Sequence, residues 1–413
     1  MGQLAKRSPI QLKNSPGGHT MRSKLCIAAL TAFILTLSAF AQKTQVKFQV
    51  LGSTGGFPGG GTLVEDAKGN LYGANNLGDL GAGGVYEVSP LGNGKWQVTT
   101  IYDMLDFPNQ GVAIDAEGNL YGGDTLGGND GEGEVFKLSP NGDGTFSESS
   151  IYSFPGINQP GGPNGDLLLD AKGNIYGTTL GNGNGITNQT VAYELQKTAN
   201  GYNYVQLYEF CSLSNCADGQ YPEGGLKADA AGSLYGTTNG GGQFGQGTVY
   251  QLKQTNGKWT ETVLHSFNGT DGQSPYGNIN FDAKGNLYGS TFVGGSSDSG
   301  VVYEIDAKGN FSVIYNFKGT PDGAFPYGAV NPDDAGHIFG TTEEGGKSNG
   351  GTVYELTQNG SGQWSEAGSY SFPYVQSEGG PLGGLLLTKS AQLFGFTATS
   401  KNFGYGEIFE FSH

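Results

Sequence analysis

Residues 282–305 read DAKGNLYGSTFVGGSSDSGVVYEI. The run holds a tight turn, a short strand ending in Tyr288-Gly289, a glycine-rich loop, and a second strand around Val302-Tyr303. β-Branched and aromatic residues bounded by Gly, Asn and Asp are the expected grammar of strands. The aromatic-glycine pair recurs at Tyr72-Gly73, Tyr121-Gly122, Tyr176-Gly177, Tyr235-Gly236, Phe339-Gly340 and Phe394-Gly395, so the chain carries seven copies, 49 to 59 residues apart. Four-stranded units at such a period form propeller blades more readily than solenoid turns.

Each copy contains four strand signals. An apolar stretch such as Asp166-Leu167-Leu168-Leu169 comes first, then Asn-Leu-Tyr-Gly, then Val-Tyr-Glu-Leu, as at Val249 to Leu252. The fourth begins with an aromatic residue and runs to Ile-Tyr-x-Phe, as at Phe311 to Phe317. Asp-Ala-x-Gly-Asn separates the first two strands, and Asn-Gly pairs such as Asn256-Gly257 separate the last two; both are hairpin turns. No sustained 3.6-residue period follows the leader, so no helix is expected. The seventh copy stops after Glu407 to Phe411, while Thr44 to Leu51 precedes the first copy as a fourth strand without a blade. Joining the two completes an all-β, seven-bladed propeller of four-stranded antiparallel blades, closed by its N-terminal strand, and closure removes exposed sheet edges.

Residues 1–41 read as a leader. Met21 is the expected start, Arg22 and Lys24 form a positive n-region, Leu25 to Leu37 is a short apolar run, and Ala39-Phe40-Ala41 offers signal-peptide cleavage after Ala41. Residues 42–413 then form one exported domain, secreted, periplasmic or at the cell surface, with no membrane span and expected to be monomeric. The whole chain has a net charge of −16, and the leader removes five Lys and Arg and no acids. Such a surface opposes phosphate backbones, which excludes nucleic acid as a partner. The 76 glycines sit at fixed offsets from Tyr, Leu and Val, as turn residues of a folded chain do. Cys211 and Cys216, close together in one loop of an exported protein, read as a local disulfide.

The units, with Asp229 to Leu252 (DAAGSLYGTTNGGGQFGQGTVYQL) as the closest copy, resemble the GloVer tandem repeat of bacterial exported proteins. A more distant likeness is to NHL-type and gluconolactonase-type propellers. The first family is defined by its repeat and implies no particular activity; the second likeness is one of fold.

In a four-stranded meander, the loops joining second to third strands and each blade to the next share one face. Those loops are the long ones here, and they are acidic: Asp124, Asp130, Glu132, Asp218, Asp271, Asp298, Asp322, Glu343 and Glu344 are the candidate ligand- or cation-binding residues, with Asp79, Glu223 and Glu378 on the same face. No cofactor is required. Calcium, which takes carboxylate and carbonyl oxygens, is the candidate cation, although no EF-hand run occurs. The expected function is a binding or scaffold module for an extracellular glycan or protein partner. The alternatives are a carbohydrate-active hydrolase or lyase using these carboxylates, and a cell-envelope protein without a small ligand. The repeated Asp66, Asp115, Asp170, Asp229, Asp282 and Asp333 read as turn-formers, since an active site breaks symmetry and a turn repeats. The aromatic before each glycine reads as inter-blade packing, and Trp96, Trp259 and Trp364 as packing residues that begin the outer strand. No Ser/His/Asp or Cys/His constellation is evident.

Overall fold

The computed structural model describes residues 47–77, 83–103, 108, 110–155, 161–181, 189–374, 380–398 and 405–412. The expected leader, Asp79 and Glu378 lie outside them. The described chain is a ring of seven small antiparallel sheets, a seven-bladed propeller. Blade 5 illustrates the plan, with strands Asn280–Phe281, Leu287–Thr291, Val301–Ile305 and Phe311–Asn316 running from the axis outward. One short 3-10 turn, Ser214–Cys216, is the exception to the all-strand expectation among the described residues. No described helix is long and apolar enough to cross a membrane.

The ring closes as its ends anticipated. Lys47–Ser53 lies antiparallel to Glu407–Ser412 and supplies the outer strand of blade 7, pairing Lys47 with Ser412 and Ser53 with Glu407. Phe48 stacks on Tyr370 of blade 6, with ring centroids 3.9 Å apart, so the closing strand is also packed against its neighbour.

The aromatic-glycine pair has a packing cause. Each of these glycines lies directly across from an aromatic residue of the third strand, as in Gly289 opposite Tyr303 and Gly395 opposite Phe409. A Cβ at any of the seven would enter the ring of Tyr86, Phe136, Tyr193, Tyr250, Tyr303, Tyr354 or Phe409. The Phe of Ile-Tyr-x-Phe then reaches into the following blade and meets that ring. Phe154 meets Tyr193, Phe210 meets Tyr250, Phe267 meets Tyr303, Phe317 meets Tyr354 and Phe372 meets Phe409, with centroids 4.8 to 5.3 Å apart. Edge-to-face rings add to the energy of burial.

Sequence reading did not reveal the bulge that delivers this Phe. In blade 5, Val302 pairs with Tyr315 and Tyr303 with Val313, which leaves Ile314 as an extra residue. Ile101, Ile151, Leu207 and Leu264 are bulged alike, as is Leu51 in the closing strand. Bulges bend a strand and increase its twist, which turns the chain toward the next blade. Blade 6 places its bulge elsewhere on the outer strand, at Ala367, opposite Glu355 and Leu356.

The repeated aspartates do form turns. Asp282 Oδ1 accepts the backbone N–H groups of Lys284 and Asn286, both at 2.9 Å, and Oδ2 accepts Asn286 Nδ2 and the Tyr288 hydroxyl. The hydroxyl therefore has a role beyond the packing assigned to the ring. Blade 7 lacks both partners, having Thr388 and Phe394, and the Thr388 hydroxyl accepts Gln392 N–H instead. The tryptophans pack across blade seams: Trp96 on Phe394 of blade 7 and Trp364 on Tyr288 of blade 5.

The Tyr303 hydroxyl is fully buried and has no hydrogen-bond partner. Tyr303→Phe is therefore expected to match or exceed wild-type stability, by up to about 1–3 kcal/mol. Tyr303→Ala should lose about 3–5 kcal/mol, and Gly289→Ala about 1–3 kcal/mol through overpacking. Urea unfolding of the three variants checks the order.

Candidate functional site at the axial mouth

In blades 3 to 7 the innermost strand enters the ring from the long-loop face through a Pro-x-Gly step: Pro163-Asn164-Gly165, Pro222-Glu223-Gly224, Pro275-Tyr276-Gly277, Pro326-Tyr327-Gly328 and Pro381-Leu382-Gly383. The glycines let neighbouring blades touch backbone to backbone. A Cβ on Gly277 would strike the Gly328 carbonyl, and one on Gly224 would crowd that of Gly277. The middle residue of each triplet is free to vary, and it rims the mouth of the axis.

Below the rim the axis is closed by one acid. The position before each buried apolar residue of the innermost strand is Thr62, Gly111, Asp166, Gly225, Asn278, Ala329 or Gly384. Asp166 of blade 3 reaches blades 1, 2 and 5: its Oδ1 accepts Gly111 N–H at 3.0 Å and Thr62 N–H at 3.4 Å, and its Oδ2 accepts Asn278 Nδ2 at 2.6 Å. Burial pushes this carboxyl up, against the lowering effect of those hydrogen bonds.

Above it stands Glu223. Its Oε1 accepts Asn239 Nδ2 at 3.4 Å and its Oε2 accepts Asn164 Nδ2 at 3.3 Å, while Gln110 Nε2 donates to Asn164 Oδ1 at 3.1 Å. Burial raises the Glu223 carboxyl, and the two amides only partly offset it. Beside it Tyr276 and Tyr327 stack with centroids 5.2 Å apart, Phe292 packs edge-on against both, and Phe325 packs on Phe292. All four rings are half-buried. Burial, with the Glu223 charge second, pushes the Tyr327 hydroxyl up to about 12. A carboxylate held by amides beside half-exposed aromatics can accept hydrogen bonds from a hydroxylated ligand while the rings cover its apolar faces.

The nine acids singled out from sequence are spread over blades 2 to 6, and most of them shape loops. Asp124 Oδ1 accepts Leu126 and Gly127 N–H, and Asp298 accepts Gly294 N–H. Asp322 accepts Lys318 and Gly323 N–H with the Tyr315 hydroxyl. Asp271 accepts Asn268 N–H and pairs with His265 at 3.1 Å. Asp218 lies two residues beyond the Cys211–Cys216 disulfide and accepts hydrogen bonds from Tyr208 and from Ser212 and Leu213 inside the loop that the disulfide closes. Asp130 is exposed and Glu132 half-exposed on the same blade-2 loop. Glu343 and Glu344 adjoin a cavity of about 510 Å³ near blades 6 and 7, where burial, then the Glu344 charge, raises Glu343. Among the described residues no three His, Cys, Asp or Glu converge as a ligand set for an ion.

Glu223 was placed on this face by sequence. Asp166, Asn164, Tyr276, Tyr327, Phe292 and Phe325 were not recognised as a group. The available signal was the variable residue inside a repeated Pro-x-Gly triplet, together with a lone acid at a position otherwise small or neutral.

Residues 20–231 and 221–413 match the Gloeobacter/Verrucomicrobia repeat, and the chain belongs to that family. No curated protein matches it by sequence. Among solved structures it is similar to virginiamycin B lyase from Staphylococcus aureus, with 15% identity, a TM-score of 0.57, and coverage of 89% of this chain and 100% of that one. It is also similar to a periplasmic gluconolactonase from Pseudomonas aeruginosa, with 14% identity, a TM-score of 0.51, and coverage of 81% and 98%. The extracellular domain of a putative one component system from B. thetaiotaomicron matches with 10% identity, a TM-score of 0.54, and coverage of 88% and 39%. At these identities the likeness is one of fold.

Asp218 supplies a pH test of the loop network. Burial raises its carboxyl, but the Ser212 and Tyr208 hydrogen bonds outweigh burial and hold it below the ordinary value of 3.8. The stability it contributes is present above that value and is lost as pH falls through the lower folded one. Asp218→Asn should lower Tm at neutral pH and flatten the loss of Tm below about pH 4. A wild-type acid limb in the variant would contradict this role.

Proposed function

We propose that the chain is an exported binding module whose axial mouth takes an extracellular glycan. The carrying observation is Glu223, held between Asn164 and Asn239 beside the stacked Tyr276 and Tyr327. Sugar rings combine apolar C–H faces with many hydroxyls, which suits half-exposed aromatics beside amides and one carboxylate. The asymmetry of the rim supports a directed site: blades 3 and 4 supply polar groups, and blades 5 and 6 supply rings. The disulfide and the periplasmic or extracellular setting printed for two fold relatives support export.

A hydrolase or lyase at the same mouth is the second reading. It is favoured by the raised Glu223 carboxyl, since a proton kept to higher pH suits a general acid.

A panel of soluble oligosaccharides, followed by calorimetry of those retained, tests both. Tyr327→Ala and Glu223→Ala should each weaken binding about tenfold or more. Glu223→Gln that binds a glycan but stops its cleavage would establish the enzyme. Retention of no glycan, or affinities untouched by either alanine, would overturn the mouth as a glycan site.

A further inference from the structure

On the other side of the Asp166–Asn278 closure, the axis widens into a cavity of about 400 Å³ toward the short-turn face. That volume lies within the ~300–1,000 Å³ of small-molecule sites. Its wall is divided. Blades 7, 1 and 3 present Leu386, Val64 and Leu168, whereas blades 4, 5 and 6 present Lys227, Asn280 and Asn331. The two asparagines are already committed. Asn280 Nδ2 donates to the Val330 carbonyl and Asn331 Nδ2 to the Leu385 carbonyl, stitching one blade to the next.

Lys227 is different. It projects into the channel, and no described carboxylate forms an ion pair with it. Asp166 shares the cavity, but its oxygens are occupied by Gly111, Thr62 and Asn278. Burial lowers the Lys227 ammonium, and the more distant Asp166 charge opposes that. Lys227 keeps contact with solvent through the open end of the channel, but the apolar wall beside it limits its hydration, and an anion held against that wall is attracted more strongly than on the open surface.

We propose that this channel binds a small carboxylate with an apolar acyl or aryl body, its carboxylate paired with Lys227 and its body against Leu386, Val64 and Leu168. An inorganic anion would leave the apolar wall uncovered, and a neutral amphiphile would leave the ammonium unpaired. The closure at Asp166 separates this site from the mouth, so the proposal does not depend on the glycan reading.

Calorimetric titration of the full chain with octanoate, and separately with octanol, tests it. One octanoate should bind per chain, and octanol at least about tenfold more weakly. Lys227→Met keeps the side-chain length without the charge and should reduce octanoate affinity at least about tenfold. Leu168→Trp keeps the lysine, fills the channel, and should abolish binding, with thermal unfolding as the check on folding. Absence of octanoate binding, equal affinity for octanol, or an unchanged affinity in either folded variant would overturn the proposal. Should Lys227→Met fail to fold, the octanol comparison and Leu168→Trp still decide.

Discussion

The structure depends on an aromatic ring seated across from a glycine. In all seven blades the third strand places a Tyr or Phe opposite the glycine of the second strand, where any Cβ would enter the ring. The arrangement sinks a large side chain into a thin sheet without pushing the strands apart. In blades 3 to 7 it also presents the ring to the Phe arriving from the preceding blade. One cross-strand pair therefore sets both the internal packing of a blade and its contact with its neighbour, and repeating it seven times generates the ring. In two blades the ring is Phe136 or Phe409, and in four of the others the tyrosine hydroxyl is buried without a partner. Area and shape, rather than hydrogen bonding, are what this position supplies.

The turns obey a second, polar rule that is coupled to the first. The turn aspartate organises backbone N–H groups and also receives the hydroxyl of the aromatic that precedes the glycine. Asp282 and Tyr288 act together, and blade 7 lost both in Thr388 and Phe394. In blade 6 the aspartate stays while Phe339 lacks the hydroxyl, and His337 lies beside Asp333 at 3.2 Å. These substitutions leave the blade intact because the apolar pairing carries most of its energy.

Chemistry enters where the repeat is broken. The glycines flanking the axis bring backbones so close that one carboxylate, Asp166, can bridge four blades and close the throat. The same closeness gathers the middle residues of the Pro-x-Gly triplets into a rim, so changes at single sequence positions become a composite surface. The acids that stood out in sequence are mostly engaged in their own loops. Asp124, Asp298 and Asp322 bind backbone N–H groups within a few residues, the ordinary behaviour of a carboxylate in a glycine-rich turn.

The blade count, the strand order within a blade, the turn role of Asp282 and the closure by Lys47–Ser53 were all legible in sequence. Each rests on local periodicity, turn chemistry, or the arithmetic of a repeat with an incomplete last copy. The bulge at Ile314 was not legible, because the motif Ile-Tyr-x-Phe looks the same whether or not one residue is skipped in pairing. The mouth and the channel were not legible either. Asn164, Glu223, Tyr276 and Tyr327 are separated by 50 to 60 residues in sequence, and no local pattern joins them. Only curling the sheet array into a closed ring brings one position of every repeat to a common axis, which makes Glu223 a neighbour of Tyr327 and sets Lys227 in a channel of its own.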